Sequence, residues 1–148
     1  MKICFDVNVI IDLFAHTNDL ADAVFSYDVA IARGFETFIP TSALADIAYI
    51  LHRRGLDATQ VNDALDALFE LFDCIDANGA DGLRAHRNDM RDFEDAIIAE
   101  SCARNEIDLI ITRNLKDFEL SPVAAMSPAD FVRAYKPTNY NYAEVELR

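Results

Sequence analysis

The sequence predicts an α/β protein, a three-layer α/β/α sandwich around a central, mostly parallel sheet. Three observations lead there. Short apolar runs alternate with stretches of helical periodicity, which is the order of a parallel sheet covered on both faces. The acids Asp6 and Asp117, with Asn114, stand at or just past the C-terminal ends of such runs, where open parallel sheets gather their chemistry. The length of 148 residues, with 52% hydrophobic and 26% charged residues, suits one folded domain with a proper core.

The elements follow in order. Lys2 to Phe5 is an apolar strand, and Val9 to Phe14 a helical turn that Asn8 is placed to cap. Asn18 or Asp19 caps a second helix running to about Ala32, stopped by Gly34. Glu36 to Ile39 is the next strand, closed by Pro40, and Thr41 or Ser42 then starts a helix from Ala43 to His52, ended by Gly55. Asp57 opens another helix, whose apolar positions Val61, Leu65, Leu68, Phe69 and Phe72 recur at helical spacing. Cys74 to Ile75 is a brief strand. Asn78 to Asn88 reads as a short helix or ordered loop carrying the basic cluster Arg84, His86 and Arg87, with Arg91 nearby. Asp92 to Asn105 is a helix with acids at its positive end. Asp108 to Thr112 is a strand, Asn114 to Ser121 a polar loop and Val123 to Met126 the last strand. Ser127-Pro128 caps a final helix to about Tyr135. Residues 1–136 thus form the domain, and 137–148, without periodicity, a C-terminal tail.

The bulk numbers narrow the function. A net charge of −13 is unusual for a protein that binds a polyanion, which normally needs a positive footprint. Either the acids are concentrated in metal sites and outer faces, or no nucleic acid is bound. Cys4, Cys74 and Cys102 read as small core residues rather than a disulfide or zinc framework. No apolar run approaches the roughly 18 residues that span a membrane, and the first residues enter a strand without signal-peptide anatomy. The cytoplasm is the expected compartment.

The acids form a pattern. Asp95 shares a helical stripe with Ile98, Ala99 and Cys102, so it points toward the protein, where an unpaired carboxylate is costly unless a cation or donors wait for it. Asp92 lies three residues earlier on the same face, and reads either as a cap or as a further ligand. Asp6 follows the first strand, Asp46 lies one turn into the helix after the second, and Asp117 stands after the fourth with Asn114 as a neutral oxygen donor. Asp12 reads as an outward helix residue, and Thr112 as either a strand residue or a hydroxyl at the site. Mg²⁺ and Mn²⁺ prefer such oxygen sets, and such ions activate water and stabilise the leaving oxygen of a phosphodiester. Arg84, His86, Arg87 and Arg91, with Arg53, Arg54, Arg113 and Lys116, are either a solvated face or a local phosphate grip. Tyr135, Tyr140 and Tyr142 are read as packing residues rather than base-stacking ones.

Phe5-Asp6-Val7-Asn8-Val9-Ile10-Ile11-Asp12, Thr41-Ser42-Ala43-Leu44-Ala45-Asp46, Asp92-Phe93-Glu94-Asp95-Ala96-Ile97-Ile98-Ala99 and Ile111-Thr112-Arg113-Asn114-Leu115-Lys116-Asp117-Phe118 resemble the successive motifs of the PIN domain. Val123 to Phe131 resembles its last strand and helix, so the likeness covers Met1 to Tyr135. The resemblance implies a metal-dependent ribonuclease acting on RNA, often the toxin of a toxin–antitoxin pair with an antitoxin partner, and commonly a homodimer. It implies Mg²⁺ or Mn²⁺ held by Asp6, Asp46, Asp95 and, at the fourth position, Asn114 or Asp117, with Asp92 as a further ligand. Asp46 stands where the family more often has Glu, and Asn114 where many members have Asp. Asn8, Thr112 and Arg113 would orient the metal-binding acid or the substrate. Those two departures also leave open a PIN-like protein-binding module without catalysis.

Overall fold

A computed structural model describes residues 1–140, so Tyr142 and most of the expected tail lie outside the described residues. Five strands are found: β1 (Lys2–Phe5), β2 (Glu36–Pro40), β3 (Asp73–Ile75), β4 (Leu109–Ile111) and β5 (Ala125–Met126). They lie in the order β3-β2-β1-β4-β5, and every neighbouring pair is parallel. The helices are α1 (Val7–Phe14), α2 (Leu20–Ala32), α3 (Leu44–Arg53), α4 (Ala58–Leu71), α5 (Gly79–Arg87), α6 (Phe93–Arg104) and α7 (Pro128–Tyr135).

Strand alternation builds the three layers. Ile3, Phe5, Ile39, Leu109 and Ile111 face one side and pack with Val9 and Ile10 of α1, Val29 of α2, Ile47 and Leu51 of α3, Leu68 of α4 and Phe131 of α7. Cys4 and Ile110 face the other side and meet Ile98, Ala99 and Cys102 of α6. Each fully buried Ile, Leu or Phe contributes about 1.5–3 kcal/mol of burial free energy, so the stripe on α6 is what holds that helix, and Asp95 with it, against the sheet. Tyr135 packs edge-on against Phe35 and lies beside Phe131, as a packing residue would.

Several local expectations are corrected. Helix α1 begins at Val7, and its cap is Asp6, whose carboxylate accepts from the Val7 amide at 2.8 Å; Asn8 sits inside the first turn. A single 3-10 turn, Thr41–Ala43, precedes α3. The stretch after β4 is not wholly loop, since Leu115–Phe118 forms a 3-10 turn that buries Phe118. Cys74 is exposed at the β3 edge rather than in the core, whereas Cys4 and Cys102 are buried. Gly34 and Gly55 end α2 and α3 with φ of +69° and +100°, which glycine adopts without steric cost. Among the described residues, no helix is long and apolar enough to cross a membrane.

Candidate active site

The sheet order reverses at β1: the chain moves to β2 and β3 on one side and to β4 and β5 on the other. A crevice therefore opens beyond the C-terminal ends of β1 and β4, the place where open α/β sheets bind ligands. Phe5 pairs with Ile111 there, so Asp6 and Thr112 emerge side by side, and the Asp6 amide bonds to the Ile111 carbonyl at 2.9 Å.

Asp6 is 3% exposed and tightly held. The Thr112 hydroxyl donates to its Oδ2 at 2.8 Å, and the Asn8 amide donates to the same oxygen at 3.1 Å. Asn8 in turn accepts from the Arg113 backbone N–H at 3.2 Å, and the Asn114 N–H donates to Thr112 Oγ1 at 3.0 Å. Thr112 and Asn8 thus orient Asp6 by direct hydrogen bonds. Burial pushes the Asp6 carboxyl up, against the opposing pull of the Thr112 and Val7 bonds.

A cavity of about 330 Å³ lies in front of it, lined by Asp6, Asp92, Glu94, Asp95 and Asp117, with Asn8 and Asn114, and walled further by Ile50, Arg54 and Arg113. Asp92 is the N-cap of α6, accepting from the Asp95 amide at 2.9 Å, and it also lines the cavity. Asp95 is pushed up to about 7, first by burial and then by the charges of Asp6, Asp92, Asp117 and Glu94. Glu94 is raised as well, first by a hydrogen bond with Asp46, then by burial. Asp46 therefore reaches the site through Glu94, and does not itself line the cavity. Among the described residues no three acidic, histidine or cysteine side chains are close enough to grip one ion as they stand. The acids share a cavity rather than a closed cage, with Asp6 spending its oxygens on Thr112, Asn8 and Val7.

Three features escaped the sequence. Glu94 lines the cavity, although its position falls off the apolar stripe that singles out Asp95. Asp12 does not face outward. It is fully buried, accepts from Arg113 Nε at 2.6 Å and from the Thr17 hydroxyl at 2.6 Å. Arg113 is thereby tied to α1 while it also lines the cavity. Arg84 of the basic cluster pairs with Asp81 and Glu100, and Arg104, outside that cluster, pairs with Asp81 and Asp76, around the fully buried Asp81 carboxylate.

The profile of the PIN domain family matches residues 2–116. This chain belongs to the PIN domain family. Solved PIN-fold relatives resemble it over nearly their whole length. A chain of VapBC2 from Rickettsia felis, bound to a DNA fragment from its promoter, superposes with a TM-score of 0.68 at 15% identity, over 86% of this chain and 98% of that one. A toxin–antitoxin complex from Klebsiella pneumoniae gives 0.63 at 21% identity, over 85% and 97%. FitAcB from Neisseria gonorrhoeae gives 0.66 at 18% identity, over 86% and 98%. Identities this low speak for a shared fold. No curated protein matches the chain in sequence. Within the PIN fold, the crevice at β1 and β4 thus carries Asp6, Asp92, Asp95, Asn114 and Asp117 together, with Asp46 one hydrogen bond behind Glu94.

Proposed function

We propose that this protein is a Mg²⁺- or Mn²⁺-dependent endoribonuclease that hydrolyses RNA phosphodiester bonds, with residues 1–136 as the nuclease unit. The observation that carries the reading is the gathering of carboxylates around one cavity, where burial and then the neighbouring charges push Asp95 up to about 7. Side chains arranged at such electrostatic cost are a mark of functional sites. The donor set is all oxygen, with neutral Asn114 beside the acids, which fits a hard divalent cation and not zinc or copper. Asp6 and Asp95 would hold it, with Asp92, Asp117, Asn114 and Glu94 as further oxygens, and Asp46 acting by way of Glu94. When bound, such an ion supplies activation of water and neutralisation of charge on the phosphodiester.

The chain's own contribution is preorganisation. Thr112 and Asn8 hold one carboxylate oxygen of Asp6, and the Val7 amide holds the other, so the orientation of the site's deepest acid is fixed before ligation. Asp92 caps α6 and so fixes the first turn that carries Glu94 and Asp95. The toxin–antitoxin assemblies among the structural relatives support a role as the toxin of such a pair, with an antitoxin partner.

Cleavage of an unstructured single-stranded RNA tests the reading. Activity should require Mn²⁺ or Mg²⁺, stop in EDTA and fall by about 10²–10³-fold in Asp6→Asn. Cleavage that survives both EDTA and the substitution would falsify the mechanism. A folded protein that never cleaves, yet binds an antitoxin, would instead be the non-catalytic binding module.

A further inference from the structure

An acidic cavity repels the phosphates it is proposed to cleave, and a cation at its wall offsets that repulsion alongside the proposed divalent ion. Two arginines line the cavity, Arg54 and Arg113. Arg113 is committed: its guanidinium holds Asp12 at 2.6 Å and lies 3.8 Å from Asp19. Arg84 and Arg104 are tied to Asp81, toward the far end of α6 from the site. Arg54 is different. It is exposed, lines the cavity, and among the described residues forms no ion pair with any carboxylate.

Its placement follows from α3. Asp46, Ile50 and Arg54 are four residues apart in turn and so occupy one stripe of that helix and its cap. Asp46 reaches Glu94, Ile50 walls the cavity, and Arg54 closes the same wall one turn further on. A single helix face therefore sets an apolar contact and a cation on the cavity wall, with an acid behind them that meets Glu94.

We propose that Arg54 is the phosphate-binding residue of this site, seating the backbone of a single-stranded RNA against the acidic cavity. The inference rests on the nuclease reading for its substrate, but its test needs no cleavage. A guanidinium offers a planar fork that takes two phosphate oxygens at once, which a solvated rim lysine does not. The competing role for Arg54 is structural, a cation at the C-terminal end of α3 that complements the helix dipole. Loss of that role would shift thermal stability without touching the salt dependence of RNA binding.

The experiment is fluorescence anisotropy of an unstructured 2′-O-methyl oligoribonucleotide in Mg²⁺, titrated at several NaCl concentrations. The full chain is compared with Arg54→Gln and Arg54→Lys, and each variant is melted alongside. Arg54→Gln should weaken binding about tenfold and flatten the slope of log affinity against log salt by about 0.7, the share of one single-strand phosphate contact. Arg54→Lys should keep the slope and recover only part of the affinity. In cleavage, Arg54→Gln should raise KM with little change in kcat. Equal affinity and slope in Arg54→Gln overturns the assignment, as does a loss that tracks a fall in melting temperature with the slope intact. Loss of binding to a glutamate-rich peptide, with RNA binding unchanged, would also overturn it and give Arg54 to a protein partner. If Arg54→Gln behaves as expected here while Asp6→Asn leaves cleavage untouched, it is the nuclease mechanism that fails.

Discussion

Asp95→Asn should make the protein more stable in EDTA and less able to use a divalent ion. The carboxyl of Asp95 stands at about 7 against an ordinary 3.8, so between those values the folded state holds a proton that the unfolded chain has already lost. Folding stability therefore falls as pH rises from about 4 to 7, and the full deficit is present above pH 7. The shift corresponds to at most about 4 kcal/mol at 1.36 kcal/mol per unit, and to about 1–2 kcal/mol after screening by water in an open cavity. Asparagine at the third position of α6 forgoes a dipole interaction worth about 0.5 kcal/mol. The net gain at pH 8 is then about 1 kcal/mol, or about 3–4 °C in melting temperature for a chain of this size. The assay is a series of thermal melts in EDTA from pH 5 to 8.5, repeated with Mn²⁺. The gap between variant and wild type should be smallest at the acid end and widen toward pH 8. Added Mn²⁺ should raise the wild-type transition and close the gap. A gap independent of pH, or a variant that gains as much from Mn²⁺ as wild type does, would refute the account of Asp95 as a crowded ligand.

Two further outcomes follow from the hydrogen bonds behind the acids. Thr112→Val keeps the strand's shape but removes the donor to Asp6 Oδ2, so Mn²⁺ affinity measured by calorimetry should fall about 10–100-fold with the fold intact. An unchanged affinity would make Thr112 a strand residue only. Arg113→Ala leaves the fully buried Asp12 with little beyond the Thr17 hydroxyl and should cost about 3 kcal/mol in urea denaturation, whereas Asp12→Ala frees a guanidinium whose side chain is already 37% exposed and should cost about half that. Equal costs would mean the pair is not buried in the sense described.

The backbone plan was largely legible because it is written in local signals. Periodicity, glycine stops and acidic helix starts place the strands and helices close to where they lie, and the apolar stripe Ile98, Ala99 and Cys102 correctly turned Asp95 inward. The failures are equally physical. Asp6 beat Asn8 to the cap of α1 because the strand end fixes its backbone through the Ile111 carbonyl, a contact across the sheet. Glu94 lies beside the stripe, and its place in the cavity and its bond to Asp46 of α3 are tertiary contacts that no local pattern marks.

Sequence alone determined the α/β layering, the family motifs and the strand ends and helix starts that bear acids, since each depends on neighbours a few residues apart. Tertiary structure decided which charges are spent and which are free. Asp12 and Arg113 meet across 101 residues, and Asp81 and Arg104 across 23, so no local pattern marks them as partners. The same approach of distant segments sets the cavity's walls and leaves Arg54 facing the acids, because an ion pair is chosen by distance in space and by the water excluded around it.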